Sequence, residues 1–214
     1  MINLLLSQQY ALFTLIIIAL IISLTFHEFG HAASAKYFGD DTAQRLGRLN
    51  INPLAHIDPM GLLMVVLVGF GYAKPVPTDP RNFNSRWAMP LIAAAGPAMN
   101  LLLAFITINI YVYGVVSGNT WITSPGPQYF FQYLALINLL LMLFNLIPLG
   151  PLDGHYILAY FLPRELAGKY LEYNRRFGHF VFLGLILLSV AGLPIFSWLM
   201  GIAGEIIQYL VIVD

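Results

Sequence analysis

From Ala11 to Phe26 the chain runs through sixteen residues without a charge and then directly into His27-Glu28-Phe29-Gly30-His31. The run is rich in Ile and Leu, and no charged side chain precedes Glu28. A stretch of this length and character is a bilayer-spanning helix. The H-E-x-x-H sequence therefore sits inside hydrocarbon. On a helix, His27 and His31 stand at i and i+4, so both rings leave one face a turn apart and can hold one Zn²⁺. Glu28 lies beside them, placed to take a proton from a water activated by that ion.

The setting excludes most alternatives. Only 9% of the 214 residues are charged and 59% are hydrophobic, with a mean hydropathy of +0.77. Soluble domains carry roughly 25% charged residues. The composition is that of an integral membrane protein, all-α, with room for about five transmembrane helices in a single membrane-embedded domain over 1–214. The formal net charge is zero, which gives no support to nucleic-acid binding. There is no cysteine, so disulfides, iron–sulfur clusters, thiolate zinc sites and cysteine nucleophiles are excluded. The first apolar run follows no basic segment and no cleavage signature, and reads as a retained helix.

Apolar patterning places helices over about Gln9–Phe38, Ser85–Val116, Tyr129–Ile147, Phe177–Ala191 and Pro194–Ile212. The last two form a C-terminal hairpin over 177–213, split by Gly192-Leu193-Pro194. Met60 to Tyr72 is apolar but only about 13 residues long, which suits a re-entrant or interfacial segment. Arg45 to Asn52 partly alternates polar and apolar residues, the pattern of a short extended strand. All ten Lys and Arg fall in two blocks, Lys36–Arg86 and Arg164–Arg176, while the loop Ser117–Gln128 is uncharged. If 60–72 enters without crossing, both basic blocks share the cytoplasmic side and the metal motif opens toward it.

Three ionisable residues within five positions of a membrane helix cost about 2.5–3.5 kcal/mol each on insertion scales, which argues for a functional pairing. A catalytic zinc site needs a third protein ligand. Ser34 and Tyr37 occupy the positions that an H-x-x-G-x-x-H extension would need, and the next glutamate is Glu165 in the charged segment. Asp40, Asp41, His56, Asp58, Asp79, Asp153 and His155 remain. Asp153 follows a long apolar helix in a segment broken by Pro and Gly, where irregular backbone at membrane depth lines a polar cavity.

Five motifs in order carry a family resemblance: H-E-F-G-H, Asn52–Gly61 (N-P-L-A-H-I-D-P-M-G), Gly71–Pro77 (G-Y-A-K-P-V-P), Ala95–Asn100 (A-G-P-A-M-N) and Asn145–His155 (N-L-I-P-L-G-P-L-D-G-H). Over roughly residues 20–160 the chain resembles the site-2 protease family of intramembrane zinc metalloproteases, in its small branch without PDZ or CBS domains. The resemblance implies Zn²⁺ held by His27, His31 and Asp153, with Glu28 as general base. It also implies supporting roles for Asn100 and Asn145 near the scissile peptide. His155 departs from the family, which commonly has glycine there. The implied substrates are membrane proteins with a transmembrane segment, drawn from a bacterial or archaeal cell membrane. Substrate choice then falls to the membrane domain, its loops, a regulatory membrane partner or a homo-oligomer. An unwound substrate could pair edge-on with 45–52. The rival is a non-catalytic zinc-containing membrane binding protein, against which Glu28 stands, since a structural site needs no base. A transporter or haem protein is a weaker rival, because no second half mirrors the first and only His27 and His31 pair up.

Overall fold

The computed structural model describes residues 1–212; residues 213 and 214, which end the expected hairpin and domain, lie outside the described residues. The helices are α1 (Ile2–Leu6), α2 (Tyr10–Tyr37), α3 (Thr42–Arg45), α4 (Pro53–His56), α5 (Pro59–Val68), α6 (Ala88–Val116), α7 (Pro125–Asn145), α8 (Gly154–Phe161), α9 (Arg164–Tyr173), α10 (His179–Val190) and α11 (Ser197–Leu210). A π-helical turn, Asn174–Gly178, joins α9 to α10. Among the described residues three helices, α2, α6 and α7, are long and apolar enough to cross a membrane. The expected C-terminal helices form, but α10 and α11 have 12 and 14 residues, short of the ~20 that a span needs. Gly192 in the left-handed region (φ +99°) breaks the chain between them.

Successive long helices, α2 with α6 and α6 with α7, pack antiparallel through small residues, the usual basis of close helix contact where lipid removes the hydrophobic drive. Ala35 of α2 meets Ala88 and Ile92 of α6 at one end of the bundle. Ala104, Leu139 and Met142 meet Ala203 of α11 towards the other. Gly30 lets α2 and α6 touch: a Cβ there would lie 2.6 Å from Met99 Cγ and 2.7 Å from the Ala95 carbonyl oxygen.

The chain after α4 loops out and returns to where it started. Asp58 caps α5 by accepting from the Met60 and Gly61 N–H groups, and Gly69 ends the helix in the left-handed region. The chain then returns beside α5, so that Ile57 and Ala73 form an isolated antiparallel bridge and Lys74 N–H donates to the His56 carbonyl (2.8 Å). Gly61 lies against the Tyr72 backbone, where a side chain would not fit. Ten helical residues span about 15 Å, half of a ~30 Å bilayer core.

The extended strand expected over 45–52 does not form, and there is no sheet among the described residues. Gly47 turns the chain at φ +69°, Asn50 folds its side chain onto the Gly47 carbonyl, and Asn52 N–H donates to Asn50 Oδ1 (2.7 Å). Arg48 donates to the Lys74 and Pro75 carbonyls, which holds this turn against the return segment. Asn and Gly turn chemistry overrides the weak alternation, and edge-on pairing of a substrate with 45–52 loses its basis.

Asp40 ties the end of α2 to the approach of α6. It is fully buried, and it accepts from Thr42 N–H (3.1 Å), Thr42 Oγ1 (2.5 Å), Asp79 N–H (2.6 Å) and Asn82 Nδ2 (3.0 Å). Burial pushes its carboxyl up, but the bonds from Thr42, Asn82 and Asp79 outweigh this and hold it below the usual 3.8. A carboxyl depressed on folding contributes stability that is present above its unfolded pKa and is lost as pH falls through the folded value. Asp40→Ala strands buried donors and should lower stability by roughly 1–3 kcal/mol at pH 7. In thermal melts, the gap between wild type and Asp40→Asn should narrow below about pH 4. A gap independent of pH would contradict this account of Asp40.

Candidate metal centre and active site

His27 and His31 lie on α2 with their side chains buried against α6. His27 is ten residues from the end of the helix, about 15 Å of axis. The two Nε2 atoms are 3.0 Å apart. Asp153, between α7 and α8, brings Oδ2 to 3.3 Å from His27 Nε2 and Oδ1 to 3.4 Å from His31 Nε2.

The outward ring nitrogens decide what faces inward. His31 Nδ1 is 2.7 Å from the Ile92 carbonyl oxygen, which can only accept, so Nδ1 carries the hydrogen. His27 Nδ1 is 2.6 Å from Asn100 Oδ1. Asn100 is turned this way because its Nδ2 donates to the Ser23 carbonyl (3.1 Å) and to Asn138 Oδ1 (2.8 Å). Asn138 is oriented in turn by donating from Nδ2 to the Leu134 carbonyl (2.8 Å). Both Nδ1 atoms are thus donors, and in the neutral rings both Nε2 atoms are lone pairs.

Two lone pairs at 3.0 Å beside a carboxylate repel unless a cation lies among them. Asp153 Oδ2 is also buried without a hydrogen-bond partner among the described residues. Two imidazoles and a carboxylate are the donor set of a catalytic divalent-metal site, and His27, His31 and Asp153 are grouped closely enough to share one ion. The residues fit a metal. Outward hydrogen bonds of this kind orient metal-binding histidines.

Glycine makes room for the rings. A Cβ on Gly96 would lie 2.6 Å from His31 Cε1 and 2.7 Å from His27 Cε1, and closer still to His31 Nε2. Gly154 fits beneath the end of α7, where a Cβ would meet the Leu146 and Ile147 carbonyls.

The other sequence candidates are engaged elsewhere. Asp41 pairs with Arg45, Asp79 with Arg81, and Asp58 caps α5. His56 is buried and directs Nε2 to the Asn50 carbonyl (2.7 Å). His155 directs Nδ1 to the Leu152 carbonyl (2.5 Å). Glu28 is buried at 8% exposure beside His27, and no Lys or Arg pairs with it among the described residues. Asn100 is fully buried behind His27 with its amide groups committed to protein partners. Asn145 stands half-buried at the end of α7, donating to its own helix at the Leu141 carbonyl (2.9 Å). Sequence reasoning passed over Asn138. A polar residue in an apolar helix was the available signal.

A helix-borne pair of histidines, a converging aspartate and an adjacent buried glutamate, set among apolar helices, have the composition of a metal-dependent hydrolase centre. The chain belongs to peptidase family M50, the site-2 protease family, whose description matches residues 15–119 and 114–189. It is a membrane-embedded metalloprotease. It is 42% identical over 173 residues to the Bacillus subtilis (strain 168) protein named "Putative zinc metalloprotease YwhC", a match covering 79% of this chain and 78% of that one. It is 31% identical over 151 residues to "Putative zinc metalloprotease Rip2" of Mycolicibacterium smegmatis, covering 67% of this chain and 55% of that protein. A shorter match, 42% over 79 residues, links it to "Putative zinc metalloprotease sll0528" of Synechocystis, covering 36% of this chain and 19% of that protein. No solved structure matches the chain significantly.

Gly96→Ala should displace both imidazoles while leaving α6 helical. Metal affinity, measured by chelator competition on purified protein, is expected to fall at least ~100-fold, beyond the range typical of outer-shell changes. Unchanged affinity would show that the rings are not confined by α6.

Proposed function

We propose that the chain is a zinc-dependent endopeptidase that cuts membrane proteins within or near a transmembrane segment. The observation that carries this reading is the depth of the centre: two histidines and a buried glutamate lie within an apolar helix long enough to span, about 15 Å from its end. Zinc is favoured by the two-imidazole, one-carboxylate donor set and by the names of the relatives. His27, His31 and Asp153 would hold it, and when bound it would act as a Lewis acid and bring a water's pKa towards ~7.

The rest of the chemistry falls to the chain. Glu28 takes the proton of the attacking water and delivers it to the departing amine. Asn100 fixes the His27 tautomer and so acts through that ring. Asn145 is the candidate donor to the developing oxyanion, as a neutral amide without charge cost.

The topology supports a cytoplasmic opening. The 58–72 segment returns to its entry point, so the basic residues before and after it stay on one side. In this reading α2, α6 and α7 span, 58–72 re-enters, and the π-turn with α10 and the hairpin to α11 complete five crossings. Water and an unwound substrate reach the centre from that side.

Glu28→Gln should retain metal and lose cleavage of a single-span membrane substrate by at least ~100-fold, the lower part of the range for a general base. Mass mapping of the wild-type products should place the cut within or next to the transmembrane segment. Retained cleavage in Glu28→Gln would remove the general base from this account. Cuts confined to soluble regions would overturn the intramembrane reading.

A further inference from the structure

His27 and His31 are held by a helix, but Asp153 is not. It directly follows the irregular segment Pro148–Leu152 between α7 and α8. Within that segment the backbone is tied only locally, Leu149 N–H to the Ile147 carbonyl and Leu152 N–H to the Leu149 carbonyl, both 2.8 Å. The longer-range ties come from α9 and the π-turn that follows it. Asn174 is 3% exposed, and its Oδ1 accepts from the Gly150 N–H at 2.7 Å. Its orientation is forced, because a backbone N–H can only donate and the Tyr170 carbonyl, 3.0 Å from Nδ2, can only accept. Tyr170 adds a second tie by donating its hydroxyl to the Pro148 carbonyl at 2.6 Å. Gly178 completes the face: a Cβ there would lie 2.6 Å from the Gly150 carbonyl oxygen.

Residues 170, 174 and 178 thus run along the loop that carries the third ligand, and the π-turn spans the last two. Single π-turns inserted in helices are rare and occur frequently at functional sites. The buried Gly150 N–H needs an acceptor, and Asn174 supplies it three residues before Asp153.

We propose that Asn174, with Tyr170, is a positioning residue for the metal centre: it holds the Gly150 N–H and so keeps the Asp153 carboxylate against His27 and His31. This rests on the metal reading above. Helix α9, whose other faces carry exposed charge, is then mechanically joined to the ligand that lies off α2.

The test uses the full chain purified in detergent. Zinc affinity is measured by chelator competition, and the coordination is read from the visible spectrum of the Co²⁺-loaded protein, for wild type, Asn174→Ala, Asn174→Asp and Tyr170→Phe. Asn174→Ala should bind zinc about 10–100-fold more weakly, with altered cobalt bands. Asn174→Asp keeps an acceptor for Gly150 N–H and should recover most of the affinity and the wild-type bands. Tyr170→Phe should show a smaller loss, and it carries the test if Asn174→Ala does not fold. Wild-type affinity and bands in both Asn174→Ala and Tyr170→Phe would overturn the proposal, as would an Asp variant as weak as the Ala variant. A wild type that binds neither metal would instead overturn the metal reading, and this inference with it.

Discussion

Two imidazole lone pairs and a carboxylate face one another where little water can separate them. Each Nδ1–H points outward, to the Ile92 carbonyl and to Asn100, so the centre of the group holds acceptors only. In a low-dielectric interior that arrangement persists only with a positive charge among the three groups. Much of the surrounding structure serves this constraint. Gly96 leaves space for the rings, Gly30 brings α6 close enough to accept from His31, and Asn138 fixes the amide that sets the His27 tautomer.

The centre joins parts of unequal rigidity. The histidines and their hydrogen-bond partners belong to α2, α6 and α7, whose contact is made by fully buried alanines and amides. The aspartate arrives on a loop, and loops supply ligands accurately only when their backbone is tied down. A polar group at membrane depth must also find its partners within the protein. Both needs are met at once: the orphan N–H of Gly150 is satisfied by the same amide that anchors the loop. The segment 58–72 satisfies its own backbone by folding α5 against its own return, with the Asp58 cap accepting from the first N–H groups of the helix.

Much of this could be read from the residues. H-E-x-x-H in an uncharged run pointed to a metal site on a membrane helix with Glu28 beside it, because ionisable groups in hydrocarbon demand a reason. Asp153 was one of seven candidates by chemistry, and the order of motifs singled it out; in the fold its carboxylate lies 3.3 and 3.4 Å from the two histidine Nε2 atoms. Three of the expected spans were plain in the hydropathy, and so was the break at Gly192; the π-turn before His179 and the start of α11 only at Ser197 left the last helices shorter than their apolar pattern suggested. Alternation over 45–52 misled, because Gly47 and Asn50 turn the chain locally. The tie between Asn174 and Gly150 was not legible, since a contact 24 positions apart leaves no periodicity. Asn100 illustrates the remaining gap: its identity marked it as part of the site, but only the fold shows that it faces a histidine ring and not open space.

The central claim is that His27, His31 and Asp153 together hold one metal ion. X-ray absorption at the zinc edge on the purified full-length chain tests it most directly. The account predicts about one zinc per chain, with scattering from two imidazoles and the remaining donors oxygen, one of them lost in Asp153→Ala. Three imidazoles would place His56, His155 or His179 in the coordination sphere, and a spectrum without imidazole scattering would remove the metal from α2; either result would contradict the site described here.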